Sequence, residues 1–342
     1  MDRQRALGIA LIVVSACGYG SGPLFATPVY ATGVDWLTLL AWRFLIGAVL
    51  SWAWLLLWPS QRRALRSLPR RRVLVMVLLG LFFVGNSGTY FAALETVSAS
   101  LSALIVYMYP ALVAVITIRF GRRLEGRRAW GALALAMLGV ALAVGGIDQS
   151  HAPPLIGLVL IVSSPIIYAV WIVLAARLGG ERGQADTIPP YDSETAADAG
   201  SGRAGDQAQA GPAAAIMITT TAVAWWVAAL AVGRPVMPAQ IPPDAWFGLV
   251  GVGVLSTAVA MQTFYAGARR IGAAHASLVS TVEPVYTIVL ATLLLGETLT
   301  PIQLIGGALV IIGVVLAQTG SARRADAQEP VRGAARVEVQ PE

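Results

Sequence analysis

Apolar runs alternate with short polar connections along almost the whole chain. Each run is about 20 residues long, which is the length that an α-helix needs to cross the hydrocarbon core of a bilayer. The pattern predicts ten transmembrane helices, which we number as spans 1 to 10 in chain order. They lie at roughly 6–27, 36–57, 73–93, 99–119, 129–147, 155–176, 213–232, 245–266, 275–295 and 301–318.

Two further segments have no apolar period and are rich in small and charged residues, so we expect them to be disordered and cytoplasmic. The predicted organisation is a first five-span unit at residues 1–152 and a second at residues 153–318. A loop at 178–212, either a passive linker or a regulatory segment, interrupts the second unit, and a tail at 319–342 follows it. Span 1 is too long for a signal peptide and has no clear cleavage site, so we expect it to be retained.

The composition agrees with a membrane protein and excludes a soluble one. Hydrophobic residues make up 57% of the chain and charged residues 12%, with a mean hydropathy of +0.71. Soluble domains are about a quarter charged, so this chain has too few charges to cover a soluble surface. The single cysteine, Cys17, and the two histidines, His151 and His275, exclude a Cys-rich metal site and a His cluster. We therefore expect no metal and no cofactor.

The positions of the basic residues predict the membrane topology of the chain. All 24 are arginine, and the net charge is +6. With the N-terminus inside, 22 of the 24 arginines lie in cytoplasmic segments, Arg234 lies outside and Arg43 lies within span 2. This is the positive-inside pattern of a multi-pass protein of the plasma (cell inner) membrane with both termini cytoplasmic. The basic balance therefore does not indicate a nucleic-acid partner.

The two halves of the chain are related by a shift of 174 residues. This shift aligns Pro110 with Pro284 and Gly139 with Gly313. Because each half has five spans, an odd number, the second copy must be inserted upside down. Inverted repeats of this kind are typical of secondary transporters with a substrate site between the halves.

Residues 267–317 carry a family resemblance. The stretch GARRIGAAHASLVSTVEPVYTIVLATLLLGETLTPIQLIGGALVIIGVVLA combines an Ala/Ser-rich helix start, a mid-helix proline, a Gly-Glu turn and a glycine-containing last helix. It resembles the EamA-type permeases of the drug/metabolite transporter superfamily. The first-half copy at residues 93–115, ALETVSASLSALIVYMYPALVAV, is similar but is followed by Arg122-Arg123 instead of the Gly-Glu turn. The motifs identify the family and not the substrate.

The resemblance implies a fold and a general activity. The fold is an all-α membrane protein with ten transmembrane helices, arranged as two inverted five-helix repeats around a central cavity. The cavity would be lined mainly by spans 1, 3, 4, 6, 8 and 9. The activity would be transport of small metabolites, often outward.

Four prolines lie inside predicted spans: Pro23, Pro110, Pro165 and Pro284. Each ring removes the hydrogen bond to the carbonyl four residues earlier. A freed carbonyl is costly in lipid unless it contacts protein or a wet cavity. Interruptions at matching positions of two halves indicate a substrate site or a gating kink, although a proline can also simply kink a packed helix.

Two charged side chains lie inside spans. Glu283, near the inner third of span 9, could couple transport to protons or accept a hydrogen bond from a substrate amine. It could also be a structural partner of Arg43, or a neutral carboxyl that bonds a freed carbonyl. Arg43 in span 2 costs up to about 2.5–3.5 kcal/mol to bury, and it could form an ion pair or anchor at the membrane interface.

Polar and aromatic side chains recur at helical spacing on the six spans that the resemblance assigns to the cavity. They are Ser15 and Tyr19, Asn86 and Tyr90, Tyr107, Tyr168 and Trp171, Gln262, and Ser280 with Glu283. Any one of them could bridge two helices, but as a set they are typical of a cavity with a few oriented polar groups. Spans 5 and 10 are predicted scaffold, with Gly306 and Gly313 on one face, and Glu297 is expected to be a structural loop carboxylate.

These patterns favour a secondary transporter of a small metabolite, such as an amino acid or a related neutral or zwitterionic compound. Export by alternating access, with protons as a coupling ion, is the working hypothesis. No phosphate-binding G-x-x-x-x-G-K-[ST] loop is present in the sequence, so active transport would have to use a gradient. The lipid bilayer is the other expected partner, and the oligomeric state stays open. The alternatives are a membrane enzyme and a receptor or scaffold. A membrane enzyme would need clustered Asp residues or a His-Asp pair.

Overall fold

The computed structural model describes residues 3–118, 126–145, 152–178, 199–271, 276 and 279–316. The described residues form helices and turns and contain no strand. The helices are α1 (Arg3–Ala31), α2 (Trp36–Leu57), α3 (Pro59–Arg66), α4 (Arg70–Ala93), α5 (Ala99–Val106), α6 (Tyr109–Ile118), α7 (Gly126–Gly145), α8 (Leu155–Leu178), α9 (Ala199–Ala231), α10 (Ala245–Gly253), α11 (Ala260–Ile271), α12 (Val282–Leu295) and α13 (Pro301–Leu316). A π-helical turn at Val254–Val259 joins α10 to α11.

Each predicted span contains a helix of the structure. Six helices are long and apolar enough to cross a membrane: Gln4–Ala31, Trp36–Leu57, Arg70–Ala93, Leu155–Ala175, Gly211–Ala231 and Ala245–Ala268. Four shorter apolar helices lie at spans 4, 5, 9 and 10: Ala99–Val113, Trp130–Val144, Val282–Leu295 and Pro301–Leu316. The prediction of an all-α architecture is therefore confirmed for the described part of the chain.

Part of the predicted cytoplasmic loop is helical. The α9 helix begins at Ala199, so it includes residues 199–212 of the segment that the sequence assigns to a cytoplasmic loop at 178–212. The rest of that loop and the tail at 319–342 lie outside the described residues.

The helices of the two halves pack into one another. The rod formed by α10, the π-turn and α11 contacts α1, which also packs along α12. The α2 helix packs on α9, and α4 packs on both α8 and α9. Leu40 and Leu249 are fully buried in one apolar core, and Leu104 and Ile161 are buried in a second. Each core draws on both halves of the sequence, so the halves form one packed body.

A loop carboxylate ties the second half to the start of α5. Glu297 follows Gly296, whose positive φ of 68° ends α12 in the left-handed conformation that glycine adopts without strain. Its two carboxylate oxygens accept hydrogen bonds from the backbone N–H groups of Ala99 and Ser100, each at 2.8 Å. Negative charge is stabilising at a helix N-terminus, so the structure gives Glu297 the structural role that the sequence suggested.

Glycines bring α7 and α13 into backbone contact. A methyl group added at Gly139 would lie 2.5 Å from the carbonyl oxygen of Gly306, and one added at Gly313 would lie 2.7 Å from the carbonyl oxygen of Ala132. Only glycine permits this approach. The prediction that Gly306 and Gly313 mediate close packing is confirmed.

Candidate functional site

Two of the four intraspan prolines interrupt their helices. Tyr107 and Met108 form a turn between α5 and α6, just before Pro110. A turn at residues 280–281 precedes α12 and Pro284. The shift of 174 residues relates these two interruptions to within one residue. Pro23 and Pro165, in contrast, lie inside the continuous helices α1 and α8.

The two interruptions meet through a hydrogen bond. The phenol of Tyr107 donates to the backbone carbonyl of Ser280, which also accepts from the backbone N–H of Glu283 at 2.9 Å. This carbonyl is the one that Pro284 deprives of its helical donor. The freed carbonyl is therefore satisfied by a side chain from the other broken span.

Glu283 lies half-buried among hydroxyl groups from several helices. Its backbone N–H and the phenol of Tyr107 share the Ser280 carbonyl, and Tyr19, Tyr90 and Tyr109 are in the same neighbourhood. These tyrosines come from α1, from α4, from the interruption between α5 and α6, and from the first position of α6. The arrangement brings three of the predicted cavity tyrosines to the predicted carboxylate.

Arg43 is held on α2 by uncharged neighbours. Its Nε donates to Thr257 Oγ1 at 3.1 Å, and its guanidinium lies over the Phe91 ring at 4.5 Å and near the Phe44 ring at 5.2 Å. In the described part of the chain Arg43 and Glu283 do not form an ion pair, so the direct pairing that the sequence offered as one alternative is not observed.

Two tyrosines are near both of these opposite charges. Tyr19 on α1 and Tyr90 on α4 each interact electrostatically with both Arg43 and Glu283. The two charged groups thus belong to one polar region and are not isolated features of separate helices.

The π-helical turn positions the partner of Arg43. Thr257 lies within Val254–Val259, and its hydroxyl bonds the carbonyl of Val252, five residues earlier, at 3.3 Å. Turns of this type bulge a helix and are frequent at functional sites. The bulge brings Thr257 to the Arg43 side chain on α2.

A cluster of aromatic rings borders the same region. It consists of Phe83, Tyr107, Tyr109, Tyr168 and Trp171, and we call it the aromatic cluster. The Tyr109 and Tyr168 rings lie 4.8 Å apart edge to face, and Tyr168 stacks on Trp171 at 5.9 Å. Trp171 also donates from Nε1 to the Leu79 carbonyl at 2.9 Å, which fixes α8 against α4. The cluster offers flat apolar faces with polar edges, a surface suited to an organic molecule.

Other predicted site residues bridge helices. Ser15 is fully buried and donates to the Ala260 carbonyl at 2.7 Å, which joins α1 to α11. Asn86 Oδ1 accepts from Ser164 Oγ at 3.0 Å and joins α4 to α8. Gln262 is half-buried on α11. For Ser15 the structure favours the helix-bridging alternative over contact with a cavity, because its hydroxyl is used and enclosed.

Five residues described in this region were not predicted from the sequence: Phe83, Tyr109 and Thr257, and the rings of Phe44 and Phe91 beside Arg43. Tyr109 directly precedes Pro110 in the sequence Tyr-Met-Tyr-Pro, so its proximity to the interruption was a usable signal. Thr257 had no such signal, because a π-turn has no sequence periodicity of its own.

Comparison with known proteins gives one family. The model of the EamA-like transporter family matches residues 6–145 and 207–319. A solved crystal structure superposes with a TM-score of 0.58 at 17% identity, covering 92% of this chain and 98% of its own. At that identity the likeness concerns the fold alone.

Several relatives are similar along most of their length. An uncharacterized transporter of Archaeoglobus fulgidus is 25% identical over 315 residues, which cover 92% of this chain and 97% of the relative. The uncharacterized transporter YcbK of Bacillus subtilis is 26% identical over 312 residues, or 89% and 90% of the two chains. The uncharacterized inner membrane transporter YedA of Escherichia coli is 25% identical over 282 residues, or 81% and 80%.

Proposed function

This chain belongs to the EamA-like transporter family, and on that premise we propose that it is a secondary transporter that moves a small organic molecule by alternating access. Its class is a multi-pass membrane transporter. We propose further that ten helices cross the membrane as two inverted five-helix repeats around a central cavity, with both termini in the cytoplasm. The units are residues 1–152 and 153–318.

The helix contacts support an inverted repeat. Exchange of the two halves turns the contact of α1 with the α10–α11 rod into the contact of α8 with α4. The same exchange turns α1 on α12 into α8 on α5 and α6. A two-fold relation of this kind gives two equivalent pairs of surfaces that can separate in turn, which is what alternating access requires.

The observation that carries the proposal is the pair of matched interruptions in spans 4 and 9. They lie beside Glu283, they join through Tyr107, and the aromatic cluster borders them. Irregular backbone is tolerated at membrane depth only where protein or a water-filled cavity surrounds it. We assign the substrate cavity to this region, with Pro110 and Pro284 as gating positions.

The charges favour a neutral or zwitterionic substrate, such as an amino acid. Arg43 and Glu283 have opposite sign and are both near Tyr19 and Tyr90, so a substrate with a large net charge would meet one repulsive group. Export is proposed because the family resemblance implies it. Protons are proposed as the coupling ion because Glu283 has no ion-pair partner in the described residues.

The test is counterflow in proteoliposomes. Purified protein is reconstituted, the vesicles are loaded with amino acids, sugars, nucleosides or lipophilic cations, and uptake of the labelled compound is measured with and without a pH gradient. Counterflow for amino acids would support the proposal. If no compound gave a counterflow signal above that of protein-free vesicles, the transporter proposal would fail. A membrane enzyme or a receptor would then be the better-supported function.

A further inference from the structure

Arg43 presents unused hydrogen-bond donors inside the membrane region. An arginine has five N–H groups, in a fixed planar fork. The Nε–H of Arg43 binds Thr257, and no other hydrogen bond of this side chain occurs in the described residues. Both terminal nitrogens of the guanidinium are therefore without a partner there.

The guanidinium is held in place before any ligand arrives. The Phe91 ring lies against it at 4.5 Å, and the Phe44 ring lies at 5.2 Å. Thr257 is fixed in turn by the π-helical turn, through its bond to Val252. An immobilised fork loses little conformational freedom on binding, so it favours a planar anion that can accept two parallel hydrogen bonds.

Leaving this cation without a counter-ion would be costly. A buried charge is stable only if it is paired or hydrogen-bonded. The contacts of this side chain are the Thr257 hydroxyl and the rings of Phe91 and Phe44, and in the described residues Glu283 forms no ion pair with it. Anchoring at the membrane interface would need the head group to extend to water, whereas Nε is bound to Thr257 on a neighbouring helix.

We propose that Arg43 is the subsite for the carboxylate of the substrate, which accepts hydrogen bonds from the terminal nitrogens of the guanidinium. The substrate class is then a small zwitterion with an ammonium and a carboxylate group, and its apolar part lies toward the aromatic cluster. This inference rests on the proposed transport function. It adds that the substrate must carry a carboxylate and that Arg43 binds this group.

The experiment compares acids with their neutral amides. Binding of L-leucine and L-phenylalanine, and of the amide of each, is measured by titration calorimetry on protein in lipid nanodiscs. The wild-type protein should bind each acid at least about tenfold more tightly than its amide, as expected for a charge-assisted pair. Arg43→Gln should lower acid binding to the level of the amide and leave amide binding unchanged.

Two further variants keep the test decisive. Arg43→Lys retains the charge without the fork and should keep only part of the preference for the acid. Thr257→Val removes the hydrogen bond to Nε and should weaken the preference for the acid, because the guanidinium is then less firmly held. This variant tests the inference even if Arg43→Gln does not fold. Arg66→Gln removes an equal charge from an exposed position on α3 and should change neither ligand's affinity.

The outcomes separate the inference from the function. If counterflow of amino acids occurs but the acid-to-amide ratio is the same in the wild type and Arg43→Gln, the carboxylate subsite is wrong and the transport function stands. If the wild type binds none of the four probes, the inference is also overturned. If no compound gives counterflow at all, the transport proposal itself fails.

Discussion

The phenol of Tyr107 donates its hydrogen bond to the Ser280 carbonyl, so a side chain of one broken helix completes the backbone of the other. Pro284 makes this carbonyl available, because its ring has no N–H to offer. The N–H of Glu283 also donates to this carbonyl at 2.9 Å, and the phenol takes the remaining acceptor position. The two interruptions are therefore interdependent, and a substitution at one should change the conformation of the other.

Replacing Tyr107 by Phe should destabilise the protein. The ring contacts remain, but the Ser280 carbonyl loses its phenol donor, at a cost of about 1–3 kcal/mol. We expect a lower thermal unfolding midpoint in detergent and a lower rate of counterflow. Tyr109→Phe is the matched control, because Tyr109 belongs to the same cluster and has no hydrogen bond in the described residues. If the two variants unfold at the same temperature, the bond from Tyr107 to Ser280 does not contribute to stability.

Pro284→Ala should slow transport without lowering stability. Alanine supplies the missing N–H and favours a continuous helix through the turn at residues 280–281, which would compete with the Tyr107 bond. We expect a reduced initial rate of counterflow with an unchanged or higher unfolding midpoint. Pro165→Ala, in the uninterrupted α8, should affect the rate less. Equal rates for both variants would argue against a special role for the interruption.

Glu297→Ala should destabilise the start of α5. The change removes two charge-assisted hydrogen bonds to Ala99 and Ser100, and loss of a helix cap costs about 0.5–2 kcal/mol. The measurement is the thermal unfolding midpoint. Asp244→Ala is a suitable control, because Asp244 occupies the N-cap position of α10 without a side-chain cap bond. A midpoint as high for Glu297→Ala as for the control would contradict the assignment.

Glu283→Gln should uncouple transport from protons. Glutamine keeps the size and one acceptor of the side chain but cannot gain or lose a proton. We expect counterflow to persist while the stimulation by a pH gradient disappears. Glu95→Gln, which changes an exposed carboxylate after α4, serves as the control. If a pH gradient drives the Glu283→Gln variant as it drives the wild type, proton coupling at this residue is wrong.

The apolar pattern predicted the positions of the helices well, because a lipid-spanning helix must be apolar along its whole length. The same uniformity hid the π-turn at Thr257, since a long apolar run has no period from which a break can be read. Proline marked four candidate positions, but only packing decides which prolines break a helix. The polar residues could be chosen individually, whereas the Arg43–Thr257 contact joins residues 214 positions apart and required the fold.

The α7–α13 contact gives the protein an internal reference for distance. Where backbone meets backbone at Gly139, Gly306 and Gly313, there are no rotamers that can rearrange, so these two helices should stay at a constant separation throughout the transport cycle. Spin labels at the exposed positions Trp130 and Ile312 should therefore report one fixed distance, with substrate or without it. Distances from a label on any other helix to Trp130 or Ile312 would then report the movement of that helix. A second distance between Trp130 and Ile312 would show that α7 and α13 separate.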